Sequence, residues 1–143
     1  MTPPRDSFLG TGWKFPVSFE KGEGQECRTR MSKAEQDIAE SLTILFSTRP
    51  GERVMRPNYG ASLEDLIFEP ANVSLLAYIE ELIRQAILYY EPRVELLQMK
   101  IESSQYMEGV ITIDLLIKIR TTNNRFNYVY DYYKREATIT ALA

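Results

Sequence analysis

The sequence contains no histidine, and its only cysteine is Cys27. Histidine is the commonest general base and the commonest protein metal ligand, so its absence excludes the Ser-His-Asp and Cys-His types of catalytic site. A single cysteine cannot form a disulfide within the chain. We therefore expect neither a bound metal nor a cofactor.

The chain also lacks an excess of basic residues and lacks long apolar runs. Its formal net charge is −3, which argues against binding the phosphate backbone of a nucleic acid. Even the apolar stretch at residues 111–119 is interrupted by Thr112, Asp114 and Lys118, so we expect no membrane insertion. The first six residues do not resemble a signal peptide, and cytoplasmic synthesis is the corresponding expectation.

The overall composition is that of an ordinary folded domain. Apolar residues make up 44% and charged residues 26% of the 143 residues. A chain of this size buries roughly 70% of the surface that it exposes when unfolded. One domain with its own core, without disulfides, is expected.

The first thirty residues differ from the remainder in being rich in glycine. Trp13, Phe15, Val17 and Phe19 alternate with other residues, which predicts one short, half-buried strand. Pro16 restricts such a strand to a sheet edge or an extended arm. We therefore divide the chain into an N-terminal arm or edge strand at residues 1–30 and a single domain at residues 31–143. The strand either completes the main sheet or forms a mobile hook.

Two amphipathic helices are predicted in the first half of the domain. Ser32 and Glu35 have the spacing of a capping box at the start of the first helix. Its apolar stripe consists of Ala34, Ile38, Leu42, Leu45 and Phe46, and the Pro-Gly pair at residues 50–51 follows its end. Asn72 is the expected cap of the second helix, which Pro92 stops. The inward face of this helix comprises Leu75, Leu76, Ile79, Leu82, Ile83, Ala86, Ile87 and Tyr90, and a short helical turn at residues 62–68 precedes it.

After residue 92 the apolar period changes from helical to two. Residues 94–102, 110–120 and 126–133 are predicted to be strands, with turns at 106–109 and 121–124. In the first strand the inward set shifts from Val94 and Leu96 to Leu97, Met99 and Ile101, which predicts a bulge near Leu96. Two helices followed by an antiparallel meander indicate an α+β fold.

Three groups of residues are candidates for contacts with other proteins. Glu91, Pro92 and Arg93 lie at the break between helix and strand, where Arg93 could cap carbonyls, form an internal salt bridge or contact a partner. A loop at residues 48–62, which contains two prolines, carries Arg49, Glu52, Arg53 and Arg56; it is either simply solvated or a stiffened contact surface. The third strand carries Phe126, Tyr128, Tyr130 and Tyr132 on one face, either an aromatic core face or an interface, and its backbone edge could accept another chain.

Several strings in the sequence resemble one known family in their order and spacing. They are residues 37–45, Ser-Thr-Arg-Pro-Gly-Glu-Arg at 47–53, Arg-Pro-Asn-Tyr-Gly at 56–60, Leu-Ile-Phe-Glu at 66–69 and Glu-Pro-Arg-Val at 91–94. Over roughly residues 10–120 the chain resembles the baseplate wedge "lysozyme-like" family. That family includes the sheath initiators of contractile phage tails, the type VI secretion baseplate protein TssE and counterparts in phage-derived injection particles.

The resemblance implies a fold akin to the handshake domain of sheath subunits and a structural, non-enzymatic role in a baseplate. It implies docking to baseplate wedge proteins, with which Glu91, Pro92 and Arg93 are associated in the family. It also implies that sheet edges are offered to arms of the first ring of sheath subunits, so that the protein templates sheath polymerisation. Contacts with inner tube or hub proteins and six copies per baseplate are further expectations, with assembly into a phage tail or an injection particle.

Two other functions stay open at this stage. A lysozyme-like glycoside hydrolase needs a pair of carboxylates, one of them with a raised pKa. The candidates near loops are Glu52, Glu64, Asp65, Glu69 and Glu91, and their spacing selects no pair. A generic oligomerisation module, unrelated to injection machines, is the remaining alternative.

Overall fold

The structure, a computed structural model, describes residues 9–21, 27–61, 63–66, 69–70, 72–102 and 110–133, with the backbone alone at residues 64, 65, 132 and 133. The elements in chain order are β1 (Thr11–Trp13), β2 (Phe19–Lys21), β3 (Cys27–Thr29), β4 (Met31–Lys33), α1 (Ala34–Ser47), a 3-10 turn (Leu63–Leu66), α2 (Val73–Tyr90), β5 (Val94–Glu102), β6 (Val110–Ile119) and β7 (Arg125–Tyr133). The predicted α+β fold is confirmed.

The main sheet is antiparallel and has the strand order β5-β6-β7. Every second residue of β6 is buried, as the alternation predicts: Ile111, Ile113, Leu115, Ile117 and Ile119. The register of β5 against β6 shifts between Leu96 and Gln98, which confirms the predicted bulge. The prediction that Leu97 faces inward is wrong. This residue is the extra one in the bulge, and its side chain is 40% exposed.

Helix α1 buries the predicted stripe but does not begin with the predicted capping box. Ile38, Leu42, Leu45 and Phe46 are at most 1% exposed. Lys33 is the cap residue, and no side chain caps the helix. Ser32 lies in β4 instead, and its hydroxyl donates to the Glu40 carboxylate, so it is not available to the first turn.

Helix α2 follows its prediction closely. The Asn72 side chain accepts a hydrogen bond of 2.7 Å from the Leu75 backbone N–H, which is the expected cap. The helix ends at Tyr90, before Pro92. Its buried face packs with α1, with the inner face of the sheet and with Leu63 of the 3-10 turn to form one core.

The N-terminal strand prediction is wrong. Instead of one strand over residues 13–19, the chain forms two short ribbons, β1 with β4 and β2 with β3, and neither joins the main sheet. The alternating Trp13 and Phe19 side chains are 65% and 67% exposed. These two side chains lie in different ribbons, β1 and β2, so they do not share the face of a single strand.

Parts of two predictions lie outside the described residues: Ser62, Ile67 and Phe68 of the helical turn, and the turn at 106–109. In the part of the chain that is described, no helix has both the length and the apolar character needed to cross a membrane.

Candidate functional site

Glu91 and Arg93 form a partly buried ion pair at the junction of α2 and β5. The Arg93 Nε and Nη2 atoms donate to the two oxygens of the Glu91 carboxylate at 2.5 and 2.8 Å. Glu91 is only 3% exposed. The two parallel hydrogen bonds from Arg93 therefore compensate for the lost hydration of its carboxylate. The pairing keeps the motif in one orientation.

The same guanidinium reaches two distant segments. Its Nη1 donates to Asp37 on α1 at 2.6 Å and to the Leu9 backbone carbonyl at 3.2 Å. The hydrogen bond to Glu91, followed by the one to Asp37, raises the pKa of Arg93 further above its ordinary value, although burial opposes the charge. The N-terminal segment can approach so closely because residue 12 is glycine: a Cβ at Gly12 would lie 2.1 Å from an oxygen of Asp37.

An internal salt bridge was one of the roles left open for Arg93, and the structure shows one, with Glu91 as the bidentate partner. Sequence reasoning missed Asp37, which is 56 residues away, and Ser41, whose hydroxyl donates to Glu91. No local pattern could have found them. Pro92 is exposed and Arg93 is about one-third exposed, and whether they contact a partner stays a prediction.

The loop at residues 48–61 brings together the second group of predicted residues. Arg49, Glu52, Arg53 and Arg56 all lie on this loop, and the Arg49 N–H is hydrogen-bonded to the Glu52 carboxylate at 3.0 Å. The Arg53 guanidinium lies 4.4 Å from the ring centre of Tyr59, which in turn packs edge to face on Tyr90. The loop therefore has a defined conformation of its own.

Sequence reasoning missed the two residues at the tip of this loop. Val54 and Met55 are 93% and 92% exposed, yet both are large and apolar. The available signal was an apolar pair inside a loop rich in proline, glycine and arginine, where turn-forming polar residues are usual.

Three aromatic residues of β7 face the core. Phe126, Tyr128 and Tyr130 are half-buried, and the Tyr130 ring packs edge to face on Phe46 at 5.4 Å. The Tyr128 hydroxyl lies 2.7 Å from the Thr43 hydroxyl of α1, and burial raises the pKa of the Tyr128 phenol. The Tyr132 side chain lies outside the described residues. Among the described strands, β7 pairs with β6 alone.

The N-terminal ribbons are attached to α1 through Glu40. Its carboxylate accepts hydrogen bonds from the Phe15 backbone N–H at 2.9 Å, the Ser32 hydroxyl at 2.6 Å and the Gln36 amide at 3.0 Å. Burial acts to raise the pKa of Glu40, but these hydrogen bonds outweigh it and lower the pKa below the ordinary value.

The described carboxylates form no metal site. No group of three or more potential ligands is close enough to hold a metal ion within the described ranges. Glu52 borders a groove of about 370 Å³ with Phe15, Ile44, Ser47, Thr48 and Arg53, and no second carboxylate is among these lining residues. Both oxygens of Glu91 are occupied by Arg93 and Ser41.

Known proteins resemble the chain in sequence and in fold. Baseplate protein W of Escherichia phage P2 is 31% identical over 80 residues, which cover 56% of this chain and 68% of that protein. A crystal structure from Geobacter sulfurreducens, provisionally described as a tail lysozyme, has a TM-score of 0.67 and 42% identity and covers 74% of this chain and 96% of its own. A chain in the six-fold symmetrised baseplate of the anti-feeding prophage has a TM-score of 0.62 and 28% identity, with 91% and 90% coverage.

The model of the family described as baseplate wedge protein gp25 matches residues 32–124. This span includes both helices and the strands β5 and β6. Since it is well over half of the chain, this chain belongs to the gp25 family of baseplate wedge proteins, the structural baseplate components of contractile injection systems.

Proposed function

We propose that this protein is the non-catalytic baseplate subunit on which the sheath of a contractile injection system begins to polymerise. One side docks to the wedge proteins, and the outer edge of β7 receives an extended arm from a sheath subunit. The observation that carries the proposal is that this edge pairs with no strand among the described residues.

Strand β7 has the properties of a strand-addition site. Its nine residues extend about 30 Å. One edge pairs with β6, and the opposite edge pairs with no strand among the described residues. The Tyr128 and Tyr130 side chains anchor the strand on the core, so its backbone is held in place to receive another chain. Strand addition uses main-chain hydrogen bonds for affinity and needs such an edge.

Hydrogen exchange tests strand addition directly. In an antiparallel pair the N–H groups of a strand point alternately to its two neighbours. When purified sheath subunits are added to baseplates that contain this protein, we expect alternate amides of β7 to become protected. The amides of β6 serve as the internal control, because β6 already has a strand on both sides. Sheath growth without any new protection in β7 would contradict the proposal.

Docking to the wedge proteins is assigned to the junction at Glu91, Pro92 and Arg93. The support is geometrical: Pro92 is exposed, and buried Glu91 fixes the partly exposed Arg93 guanidinium beside it. Pro92→Glu changes this surface without removing a partner of the ion pairs. We expect this variant to lose co-purification with the wedge proteins while its free energy of unfolding stays close to that of the unmodified chain. Undiminished co-purification would argue against this docking surface.

Contacts through Arg49, Glu52, Arg53 and Arg56 are part of the same proposal. The loop that carries them is stiffened by two prolines, so binding orders little additional backbone. The inner tube or hub proteins, or another wedge protein, are the proposed partners, and six copies per baseplate fit a six-fold particle such as the anti-feeding prophage baseplate.

A further inference from the structure

Val54 and Met55 are the two central residues of a β-turn at the tip of the loop. The Arg56 N–H donates to the Arg53 carbonyl at 3.2 Å, which closes the turn around them. Their side chains have the largest exposed fractions of any large hydrophobic residue that the structure describes. Glycine, proline, asparagine, aspartate and serine dominate such positions because each favours a turn. Packing within the domain therefore does not account for valine and methionine here.

The loop that presents this pair is closed by its own backbone. At its neck the Ala61 N–H donates to the Thr48 carbonyl at 3.2 Å. Gly60 lies directly against the same carbonyl, where a Cβ would be only 2.2 Å from the oxygen. Between this neck and the tip, the Gly51 N–H donates to the Pro57 carbonyl. A loop that is already ordered loses little conformational entropy when it binds.

The charge around the tip is positive. The loop carries three arginines and one glutamate in a chain whose net charge is −3. Arg53 and Arg56 directly flank the apolar pair, and the stacking of Arg53 on Tyr59 fixes one of the two positive groups beside the tip. A complementary surface has an apolar pocket for two side chains and carboxylates at its rim. A nucleic-acid backbone would leave the apolar pair uncovered.

We propose that the loop at residues 48–61 is a preformed plug that inserts Val54 and Met55 into an acidic-rimmed apolar pocket of another protein of the same baseplate. Arg53 and Arg56 then pair with carboxylates at the pocket rim. The inference rests on the baseplate function proposed above and adds the chemistry of one contact.

Reconstitution of the full-length chain with the other proteins of its baseplate tests the plug. Burial of two apolar side chains supports an expected loss of about 30-fold or more in binding for the double variant Val54→Ser, Met55→Ser. Val73→Ser is the matched control, because Val73 is 84% exposed on α2, and its binding should stay within about twofold. The thermal unfolding temperature should be unchanged in the double variant and in the control.

Unimpaired binding of the double variant would overturn the plug and leave the proposed baseplate function standing. Failure of the unmodified chain to bind any baseplate protein would overturn the plug and the proposed function together.

A photo-crosslinking amino acid at position 55 identifies the pocket. In assembled particles we expect an adduct on another baseplate protein, within an apolar peptide that has aspartate or glutamate nearby. The same reagent at position 73 should not label that peptide. Crosslinks to a second copy of this chain, or binding of the isolated chain to phosphatidylserine vesicles that the double variant abolishes, would overturn the proposal.

Discussion

Arg93 joins three segments that are remote in sequence. One guanidinium binds Glu91 at the end of α2, Asp37 on α1 and the carbonyl of Leu9 ahead of β1. A buried carboxylate without a partner is strongly unfavourable, so Glu91 and Arg93 depend on one another. The Glu91-Pro92-Arg93 motif, which the family resemblance associates with docking, is thus also part of the domain's internal structure.

Arg93→Ala should destabilise the fold, because it leaves Glu91 buried without its cation. We expect a loss of about 2 kcal/mol in the free energy of unfolding, less than for a fully buried pair because Arg93 is partly exposed. Arg84→Ala removes an arginine from an exposed pair with Glu80 and should cost at most about 0.5 kcal/mol. Urea denaturation of the two variants gives the comparison. Equal losses would show that the junction does not stabilise the domain.

At the scale of elements, hydrophobic periodicity predicted which side chains share a face of a helix or strand. The helical stripes of α1 and α2 and the alternation along β6 were correct because spacing determines which side chains share a face. Even the bulge was predictable, because a shift in the inward set requires an additional residue. The exception inside β5 was Leu97, which is that additional residue and turns outward.

Periodicity could not predict which faces are covered. Trp13, Phe15, Val17 and Phe19 alternate as in a half-buried strand, yet all four are exposed, Trp13 and Phe19 to about two-thirds. Ser32 has the spacing of a helix cap, but the Glu40 carboxylate competes for its hydroxyl. The sequence offered an internal salt bridge of Arg93 as one of three alternatives, but it could not indicate Asp37, because that contact joins residues 56 positions apart and depends on the tertiary fold.

The attachment of the N-terminal ribbons to α1 should depend on pH through Glu40. Because the folded-state pKa of Glu40 is lowered, the ionised form stabilises the fold, and this contribution is fully present above the unfolded value of 4.5. It should decline as the pH falls through the lower folded-state pKa. Glu40→Gln should therefore be less stable than the unmodified chain at neutral pH, and the difference should shrink in acid.

Glu81→Gln is the matched control for Glu40→Gln. Glu81 likewise accepts a hydrogen bond from a glutamine one helical turn away, in its case the later residue Gln85, but its position on α2 is exposed. Urea denaturation at a series of pH values should give nearly parallel curves for Glu81→Gln and the unmodified chain. A difference between Glu40→Gln and the unmodified chain that is constant with pH would contradict the assigned role of the carboxylate.

For the whole molecule, α1 is the element that connects the proposed contact surfaces. Asp37 and Ser41 of α1 bind the ion pair of Arg93 and Glu91. Thr43 and Phe46 of the same helix contact the tyrosines of β7, and the loop at residues 48–61 begins directly after Ser47. Helix α1 spans about 20 Å, so the surfaces are spread along one rigid element. Several partners could therefore bind one small domain together, which suits a structural baseplate component better than an enzyme with a single cleft.

The protein should lack muramidase activity, although one similar structure is provisionally described as a tail lysozyme. Such an enzyme needs two carboxylates that flank the sugar bond, one of them free to donate a proton. Both oxygens of Glu91 are engaged, and the groove beside Glu52 has no second carboxylate among its described lining residues. We expect no clearing of purified peptidoglycan under conditions in which an active muramidase clears it. Clearing that disappears in Glu52→Gln or Glu69→Gln would overturn this prediction, because loss of a single carboxylate would then identify a catalytic acid.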